Sequence, residues 1–223
     1  MKKRKEKMSQ KINPVGIRVG NFLPWKSRWF VEGGKYKEFL IEDVKIRAAL
    51  MDKLKLAGIS LVEIERLPKS MVINLTVSRP GVVIGRGGSG IEEVKKFVLE
   101  IMKETRGELP KDLKIDLKVS EVKNSELSAH LVATRIVGEL ERRMPHRRVV
   151  SKTIERVMAA GALGIKVVLG GRIGGAEISR VEKFQMGSVP SQTLRETIDY
   201  AQVPALLKRG YVGVKVWIHR KEE

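Results

Sequence analysis

The residues with the clearest potential for chemistry lie in one short loop, residues 85–90. Four of these six residues are glycines, and Arg86 stands among them. Glycine lets a backbone approach a phosphate closely, and a helix that follows such a loop offers free N–H groups and a positive dipole end. The pattern predicts a clamp for a nucleic-acid backbone, formed by Gly85, Arg86, Gly87 and Gly88. A loop tightened by glycine for packing alone is the alternative.

The same glycines also satisfy the G-x-G-x-x-G pattern of dinucleotide-binding folds, through Gly85, Gly87 and Gly90. Such a fold needs more parallel strands and an acidic residue at the end of the next strand, whereas Asp116 lies in mid-strand. A helical turn that opens at Pro80 also precedes the glycines, where a dinucleotide fold passes directly from strand to loop. We therefore favour the phosphate clamp.

A second group of candidate residues surrounds a helix break at Pro145. Residues 142–148 contain four arginines and one histidine. Two of the arginines lie near the start of the following helix, where the helix dipole disfavours each cation by about 0.3–1 kcal/mol. Helix stability therefore does not explain them, whereas the planar donor fork of arginine suits phosphate. The pattern predicts an RNA-binding groove, with a solvated charged face as the alternative; its residues are Arg142, Arg143, Arg147, Arg148 and Lys152.

The overall charge supports a polyanionic partner. The chain has 223 residues with 44 Lys and Arg against 26 Asp and Glu, a net charge of +18. Repulsion among these cations weakens a compact state unless a polyanion such as nucleic acid neutralises it. No apolar stretch approaches the roughly 20 residues of a membrane-spanning helix, and no export signal follows the Lys-rich start. We expect a cytoplasmic protein that does not bind membranes.

Several classes of enzyme and metalloprotein are disfavoured. Without cysteine there is no disulfide, no thiolate zinc site and no thiol nucleophile, and the three histidines are scattered along the chain. The sequence also lacks a G-x-x-x-x-G-K-[ST] nucleotide loop and paired carboxylates with ligand-like spacing. We expect no catalytic residue, no metal, no cofactor and no small-molecule substrate.

The hydrophobic pattern predicts the elements that position the glycine loop. Helical spacing begins at Asp43, a plausible N-cap, and stops at Gly58; two alternating strands follow, around residues 62–65 and 71–77. A short helical turn, the loop, a second helix and a third strand over 113–119 complete the unit. Before it, the first forty residues lack sustained periodicity, which indicates an extended arm. Trp25 and Trp29 in this arm either stack on bases or pin the arm to its domain.

A second unit begins near Ser125. Two helices separated by Pro145 precede four strand-like runs, which predicts two helices on a mainly antiparallel sheet. A turn rich in glycine, residues 170–175, joins the first two runs and suits either RNA contact or a plain hairpin. We expect an α+β chain of three parts: a basic arm (1–42), an RNA-binding domain (43–120) and a C-terminal α+β domain (121–223).

The string VVIGRGGSGI, residues 82–91, resembles the K-homology signature, in which I-G-x-x-G joins two short helices and clamps about four single-stranded nucleotides. The elements before the motif match the type II arrangement, a three-stranded sheet with helices on one face. Beyond this motif, nearly the whole chain from Met8 resembles bacterial small ribosomal subunit protein three. That resemblance rests on the segments QKINP (10–14), GIR (16–18), RPG (79–81), LERR (140–143), GRIGGAEI (171–178) and YVGVKVWI (211–218).

The resemblance implies a structural role in the head of the small ribosomal subunit, near the channel through which messenger RNA enters. The implied partners are small-subunit ribosomal RNA, messenger RNA and small-subunit proteins ten and fourteen. In the family, basic residues after the first C-terminal helix face the message and help to unwind it. Arg147 and Arg148 fall on two of these positions, and a third falls on Ser151, beside Lys152.

Four further cations are assigned to RNA contact with less support: Lys11, Arg18, Arg172 and Arg180. The leader Met1–Lys7 lies outside the family pattern, so Met8 is a second candidate start. A free K-homology protein that regulates RNA is the alternative function. Such a protein binds RNA alone and with sequence preference, whereas a ribosomal protein sediments with the small subunit.

Overall fold

The computed structural model describes residues 12–67, 70–107 and 113–221. The chain forms two compact units: Trp25–Leu131 is the first, and the described residues up to Pro24 join those from Val132 onward in the second. The helices are α1 (Lys35–Lys53), α2 (Pro80–Ile84), α3 (Ser89–Arg106), α4 (Ala129–Glu141) and α5 (His146–Ala159). The strands are β1 (Ser27–Arg28), β2 (Ile59–Arg66), β3 (Ser70–Val77), β4 (Lys114–Glu121), β5 (Gly164–Gly171), β6 (Arg180–Gly187), β7 (Ile198–Leu207) and β8 (Gly210–His219).

In the first unit, a mixed sheet of order β1-β2-β3-β4 carries helices on one face. Strand β3 pairs antiparallel with β2 and parallel with β4, so α2, the glycine loop and α3 form the crossover from β3 to β4. Alternation decides which side is buried: Met71, Ile73, Leu75 and Val77 are at most 1% exposed, while the residues between them are partly exposed. This packing fixes both ends of the crossover that holds the loop.

The predicted order of helices and strands in this unit is confirmed, with two differences. The sheet has a fourth, two-residue strand, β1, which pairs parallel with β2 and is too short to leave a sequence pattern. Helix α1 begins at Lys35, so the prediction that Asp43 caps its N-terminus was wrong. Asp43 lies in mid-helix and is fully buried, because it shares the apolar stripe of Ile46 and Leu50.

Two buried carboxylates of α1, Glu42 and Asp43, form the ionic centre of this unit. Arg66 of β2 donates to both, at 2.7 Å to Glu42 and 2.9 Å to Asp43, and Arg106 of α3 donates to Glu42 at 3.0 Å. The indole N–H of Trp29 donates to Asp43 at 2.8 Å. One pair of acids therefore holds together a helix, a strand, a second helix and the segment that precedes α1.

The aromatic residues before α1 divide into two kinds. The Trp29 ring packs against Tyr36 and Phe39, with ring centroids 5.3 and 5.7 Å apart. Trp29 thus pins this segment to its own unit, which was one of the two interpretations of the sequence. Trp25 and Phe30, in contrast, are 65% and 83% exposed.

The second unit contains an antiparallel sheet of order β6-β5-β8-β7, and α5 packs against β5 and β6. On the helix side of the two central strands, every second residue is an aliphatic side chain that is at most 2% exposed. Residues 149, 150, 153, 154 and 157 give α5 one buried stripe, and the rest of its first three turns faces solvent. The predicted two helices and four strands are confirmed here. No helix among the described residues is long and apolar enough to cross a membrane.

We predict that Arg66→Leu lowers the free energy of unfolding of the first unit by about 3–5 kcal/mol, because it leaves buried carboxylates without their main partner. Hydrogen exchange of β2 and β3 measures the effect. The control is Arg28→Leu, since the side chain of Arg28 is 50% exposed in its pair with Glu65, and it should cost less than about 1 kcal/mol. Equal losses for the two variants would contradict the role given to the buried pair.

Candidate nucleic-acid interface

The glycine loop joins α2 to α3 through a tight turn. The carbonyl of Gly81 accepts a hydrogen bond from the Gly85 amide at 3.1 Å, which ends α2. Residues 86–88 then form a tight turn in which Gly87 and Gly88 have positive φ angles, and the Ser89 hydroxyl donates to the carbonyl of Arg86 at 3.1 Å. No side chain caps the N-terminus of α3, so its first N–H groups point into the loop without a protein side chain as acceptor. The predicted strand, short helix, loop and helix around the glycines are confirmed.

Two of the four glycines are required for packing. A Cβ atom on Gly85 would lie 2.9 Å from the backbone nitrogen of Gly90, and a Cβ atom on Gly90 would collide with the carbonyl oxygen of Val83. The backbones of α2 and α3 therefore touch directly at these two positions. The packing alternative holds for Gly85 and Gly90.

The other two glycines face open space. Gly87 and Gly88 have φ angles of +62° and +83°, and a Cβ atom on either would meet nothing within 4 Å. Arg86 beside them is exposed and forms no ion pair or hydrogen bond through its side chain with the described part of the chain. The loop thus presents a bare backbone, a free guanidinium and a helix N-terminus on one surface, which is a suitable arrangement for phosphate.

The second site is a set of five exposed cations around the junction of α4 and α5, here called the basic junction: Arg142, Arg143, Arg147, Arg148 and Lys152. None of the five forms an ion pair with a residue that the structure describes. Arg148 and Lys152 are four residues apart on the exposed side of α5, so their charges lie on the same side of the helix. The structure brings all five predicted residues of this group to one region of the surface.

Arg143 occupies an unusual backbone conformation. It has a φ angle of +63° and is the single non-glycine residue with positive φ among the described residues. Its amide donates to the Leu140 carbonyl at 2.9 Å, and the Met144 amide donates to the Glu139 carbonyl at 3.2 Å, which is the Schellman ending of a helix. Glycine is the usual residue at this position, and another side chain costs roughly 1–2 kcal/mol. Arg143 is therefore kept at a cost to folding.

Glu182 of β6 links the basic junction to the sheet. Its carboxylate contacts Nε2 of His146 at 3.1 Å and Nη2 of Arg180 at 2.9 Å. His146 therefore serves to seat the first turn of α5, and the charge of Arg180 is partly neutralised. Sequence analysis missed Glu182, because its role depends on a contact between residues 36 positions apart.

Arg172 lies in the second glycine turn and is engaged locally. Its Nε donates to the Ala176 carbonyl at 2.9 Å and its Nη1 to the Arg209 carbonyl at 3.4 Å, while Arg209 in turn donates to the Gly175 carbonyl. The two arginines tie the β5–β6 turn to the β7–β8 turn. Arg172 is nevertheless exposed, so the structure supports the hairpin interpretation without removing its charge from the surface.

Arg18 lies inside the second unit, 1% exposed. Its guanidinium donates to four backbone carbonyls, those of Pro14 at 2.7 Å, Thr193 at 2.7 Å, Glu196 at 3.0 Å and Ser191 at 3.4 Å. Burial lowers the pKa of Arg18 below its ordinary value. Because Arg18 is buried and four of its five N–H donors are bonded to backbone carbonyls, the predicted RNA contact does not fit this residue. Lys11, the other predicted cation of this segment, lies outside the described residues.

No group of three or more His, Asp or Glu residues within 12–67, 70–107 and 113–221 could hold a metal ion. The described residues predicted to bind RNA at the two sites are cations and glycines, and such a set can bind phosphates.

Comparison with known proteins matches two different family models to two successive parts of the chain. Residues 45–127 match the model of the KH domain, and residues 136–218 match the model of the ribosomal protein S3 C-terminal domain. Small ribosomal subunit protein uS3 of Persephonella marina is 46% identical over 216 residues, which cover 97% of this chain and 92% of the relative. The uS3 proteins of Clostridium acetobutylicum and Halalkalibacterium halodurans are 40% and 42% identical, each over 96% of this chain and 93% and 94% of the relative.

The chain belongs to the uS3 family of ribosomal proteins. The predicted resemblance and the α+β fold with a K-homology unit followed by a C-terminal α+β unit are confirmed. The family assignment makes the glycine loop of this uS3 member a K-homology loop. In this loop a glycine at position 87 follows Arg86, and the backbone at Gly87 and Gly88 is left-handed.

We predict that Gly90→Ala destabilises the first unit more than Gly87→Ala. The methyl group at position 90 collides with the backbone of α2, whereas at position 87 it meets open space and costs only the strain of positive φ, about 1–2 kcal/mol. Urea denaturation of both variants measures the difference. A smaller loss for Gly90→Ala than for Gly87→Ala would show that α2 and α3 do not meet as described.

We also predict that Arg143→Gly raises the free energy of unfolding by about 1 kcal/mol, since glycine relieves the positive φ angle. The same variant should weaken RNA binding, with a salt slope shallower by roughly 0.7 for one lost phosphate contact. Arg142→Gly is the matched control: it removes the same charge without relieving strain and should not stabilise. Thermal denaturation and salt-dependent filter binding give the two readouts, and an unchanged salt slope would remove Arg143 from the interface.

Proposed function

We propose that this chain is a structural constituent of the head of the small ribosomal subunit. In this role it binds small-subunit ribosomal RNA and contacts messenger RNA at the channel through which the message enters. The observation that carries the proposal is the basic junction: its five exposed cations form no ion pair with a residue that the structure describes, and one of them is held in a strained backbone conformation. Unpaired cations on a chain of charge +18 are stabilised when phosphates approach them.

The basic junction assists unwinding by holding a strand and not by consuming a nucleotide. Arg147 and Arg148 project from the first turn of α5, which is itself seated by Glu182 on the sheet. Guanidinium groups on a rigid helix contact the phosphates of one strand, while movement of the message is supplied by translocation of the ribosome. The protein thereby favours the single-stranded form without being an enzyme.

The K-homology loop supplies a separate contact with RNA. Its surface is formed by Gly87, Gly88 and Arg86. Gly85 contributes mainly by allowing α2 to pack closely against α3. With one cation in the loop, the grip on phosphate rests on backbone N–H groups to a larger extent than in loops with two basic residues.

The implied protein neighbours are small-subunit proteins ten and fourteen, and the implied location is the ribosome in the cytoplasm. As a functional division we keep the basic arm (1–42), the K-homology domain (43–120) and the C-terminal domain (121–223). No cofactor and no small-molecule substrate enters this proposal.

Sedimentation of a tagged copy tests the proposal against a free regulatory RNA-binding protein. A ribosomal constituent sediments with the small subunit and leaves it only at high salt, and sequencing of crosslinked RNA should return small-subunit ribosomal RNA together with messages of many genes. A free regulator stays near the top of the gradient and crosslinks to a restricted set of messages. The second outcome would overturn the proposal.

We predict that replacing Arg147 and Arg148 together with alanine leaves folding intact and slows translation through structured messages. The two side chains are exposed, and removing cations from a helix N-terminus is neutral or stabilises by about 0.3–1 kcal/mol each. Elongation rates on templates with and without a hairpin provide the measurement. The control is Lys37→Ala with Lys96→Ala, which removes the same charge from exposed positions of the first unit. Equal rates on hairpin templates for the wild type and the arginine variant would contradict the role.

A further inference from the structure

The second sheet has a face that neither the basic junction nor the glycine turn uses. Helix α5 covers one side of the sheet, where Ile165 and Val167 of β5 are fully buried. The alternate residues point to the opposite side; Gly164, Ile198 and His219 at one end are buried, while those in the middle, among them Lys166 and Val168, are exposed or partly exposed. We call this side the open face.

Strand register places three lysines together on the open face. Lys183 of β6 and Lys215 of β8 both pair with Val168 of the intervening β5, so their Cα atoms lie about two strand spacings, or roughly 9–10 Å, apart. Lys166 follows two residues away on the same strand as Val168. The Cα atoms of the three lysines therefore form a compact triangle.

Two aromatic rings lie beside these lysines. Trp217 of β8 pairs with Lys166 on one side and with Tyr200 of β7 on the other. The Tyr200 and Trp217 ring centroids are 5.0 Å apart at an interplanar angle of 41°, and Nζ of Lys166 lies 5.5 Å from the centroid of Trp217. Both rings are partly exposed, so each keeps surface available to a ligand.

No acidic residue opposes this charge on the face. At the strand positions that share the face with the lysines there is neither Asp nor Glu. Glu196, which precedes β7 by two residues, contacts Nε2 of His219 at 2.8 Å. Glu182 and Asp199 belong to the opposite side of their strands. The charged residues at the strand positions of the open face are therefore all lysines, and they lie beside aromatic, aliphatic and amide side chains.

We propose that the open face, centred on Lys166, Lys183, Lys215, Tyr200 and Trp217, binds single-stranded RNA as a site separate from the K-homology loop and the basic junction. The lysines contact phosphates and the two rings stack with bases. An RNA duplex presents no free base surface to such rings, whereas a single strand does. An acidic protein would be served by the lysines alone, so the aromatic pair favours RNA. The inference rests on the proposed function, because it adds a third surface to the same RNA-binding chain.

The test uses the full chain in the background Arg86→Ala, Arg147→Ala, Arg148→Ala, with an oligouridylate of about ten nucleotides as probe. This background should bind more weakly than the wild type; its residual binding includes the open face and the three remaining cations of the basic junction, so the change caused by the lysine variants isolates the open face. Adding Lys183→Gln and Lys215→Gln should make the salt slope of that residual binding shallower by roughly 1.4, because two phosphate contacts are lost. Lys183→Arg with Lys215→Arg should preserve the slope.

The aromatic pair has its own readout. Ultraviolet crosslinking to the oligouridylate should yield adducts on peptides that contain Tyr200 or Trp217, and Tyr200→Ala should weaken residual binding by about tenfold. Melting temperatures establish that each variant folds; if Tyr200→Ala does not fold, the lysine variants, whose side chains are exposed, carry the test.

The outcomes separate this proposal from the one above it. An unchanged salt slope in the Lys183→Gln, Lys215→Gln variant, or no residual binding in the background, overturns the open face while leaving the other two surfaces intact. Loss of the lysine variant from ribosomal particles with unchanged RNA binding would show a protein contact instead and also overturns it. Absence of any oligouridylate binding by the wild type at low salt would overturn the proposed function itself.

Discussion

Repulsion among cations is the constraint to which the rest of this structure responds. With 26 acidic residues against 44 basic ones, the chain has an excess of 18 positive side chains over its carboxylates. The few buried acids are placed where one carboxylate pair joins several elements: Glu42 and Asp43 bind Arg66 and Arg106, and so connect α1, β2 and α3. These buried ion pairs hold the elements of the first unit together, and the excess cations can bind an external polyanion.

The arginines accordingly fall into two groups that composition does not distinguish. Arg18, Arg66 and Arg172 are bonded within the chain and act as cross-links between segments. Arg86 and Arg147 are exposed, have no ion-pair partner within residues 12–67, 70–107 and 113–221, and remain available to phosphate. The difference lies in what surrounds each guanidinium, since the side chain itself is the same.

Periodicity in the sequence predicted most of the architecture, because each strand and helix of the two cores has one buried side. It failed where long-range contacts decide. Asp43 was taken for a cap because acids favour helix starts, yet its carboxylate is buried against an arginine from another element. The burial of Arg18, which does not fit the predicted RNA contact, also depends on long-range contacts, since three of its four acceptors lie more than 170 residues further along the chain. The loop glycines and the basic junction were visible as local patterns, whereas the division of the glycines into packing and exposed positions required the backbone.

The hydrogen bonds of Arg18 determine which of the two units can finish folding first during synthesis. Residues 25–131 are contiguous, so the first unit can fold as soon as that stretch has left the synthesising ribosome. Arg18 is synthesised before the first unit, whereas its acceptor carbonyls at Ser191, Thr193 and Glu196 are synthesised more than 170 residues after it. Until then an unsatisfied guanidinium and a basic leading segment remain outside any fold. In a nascent chain the segment around Arg18 therefore stays undocked while residues 25–131 fold. A truncation before residue 191 would remove the carbonyls at Ser191, Thr193 and Glu196 that Arg18 binds.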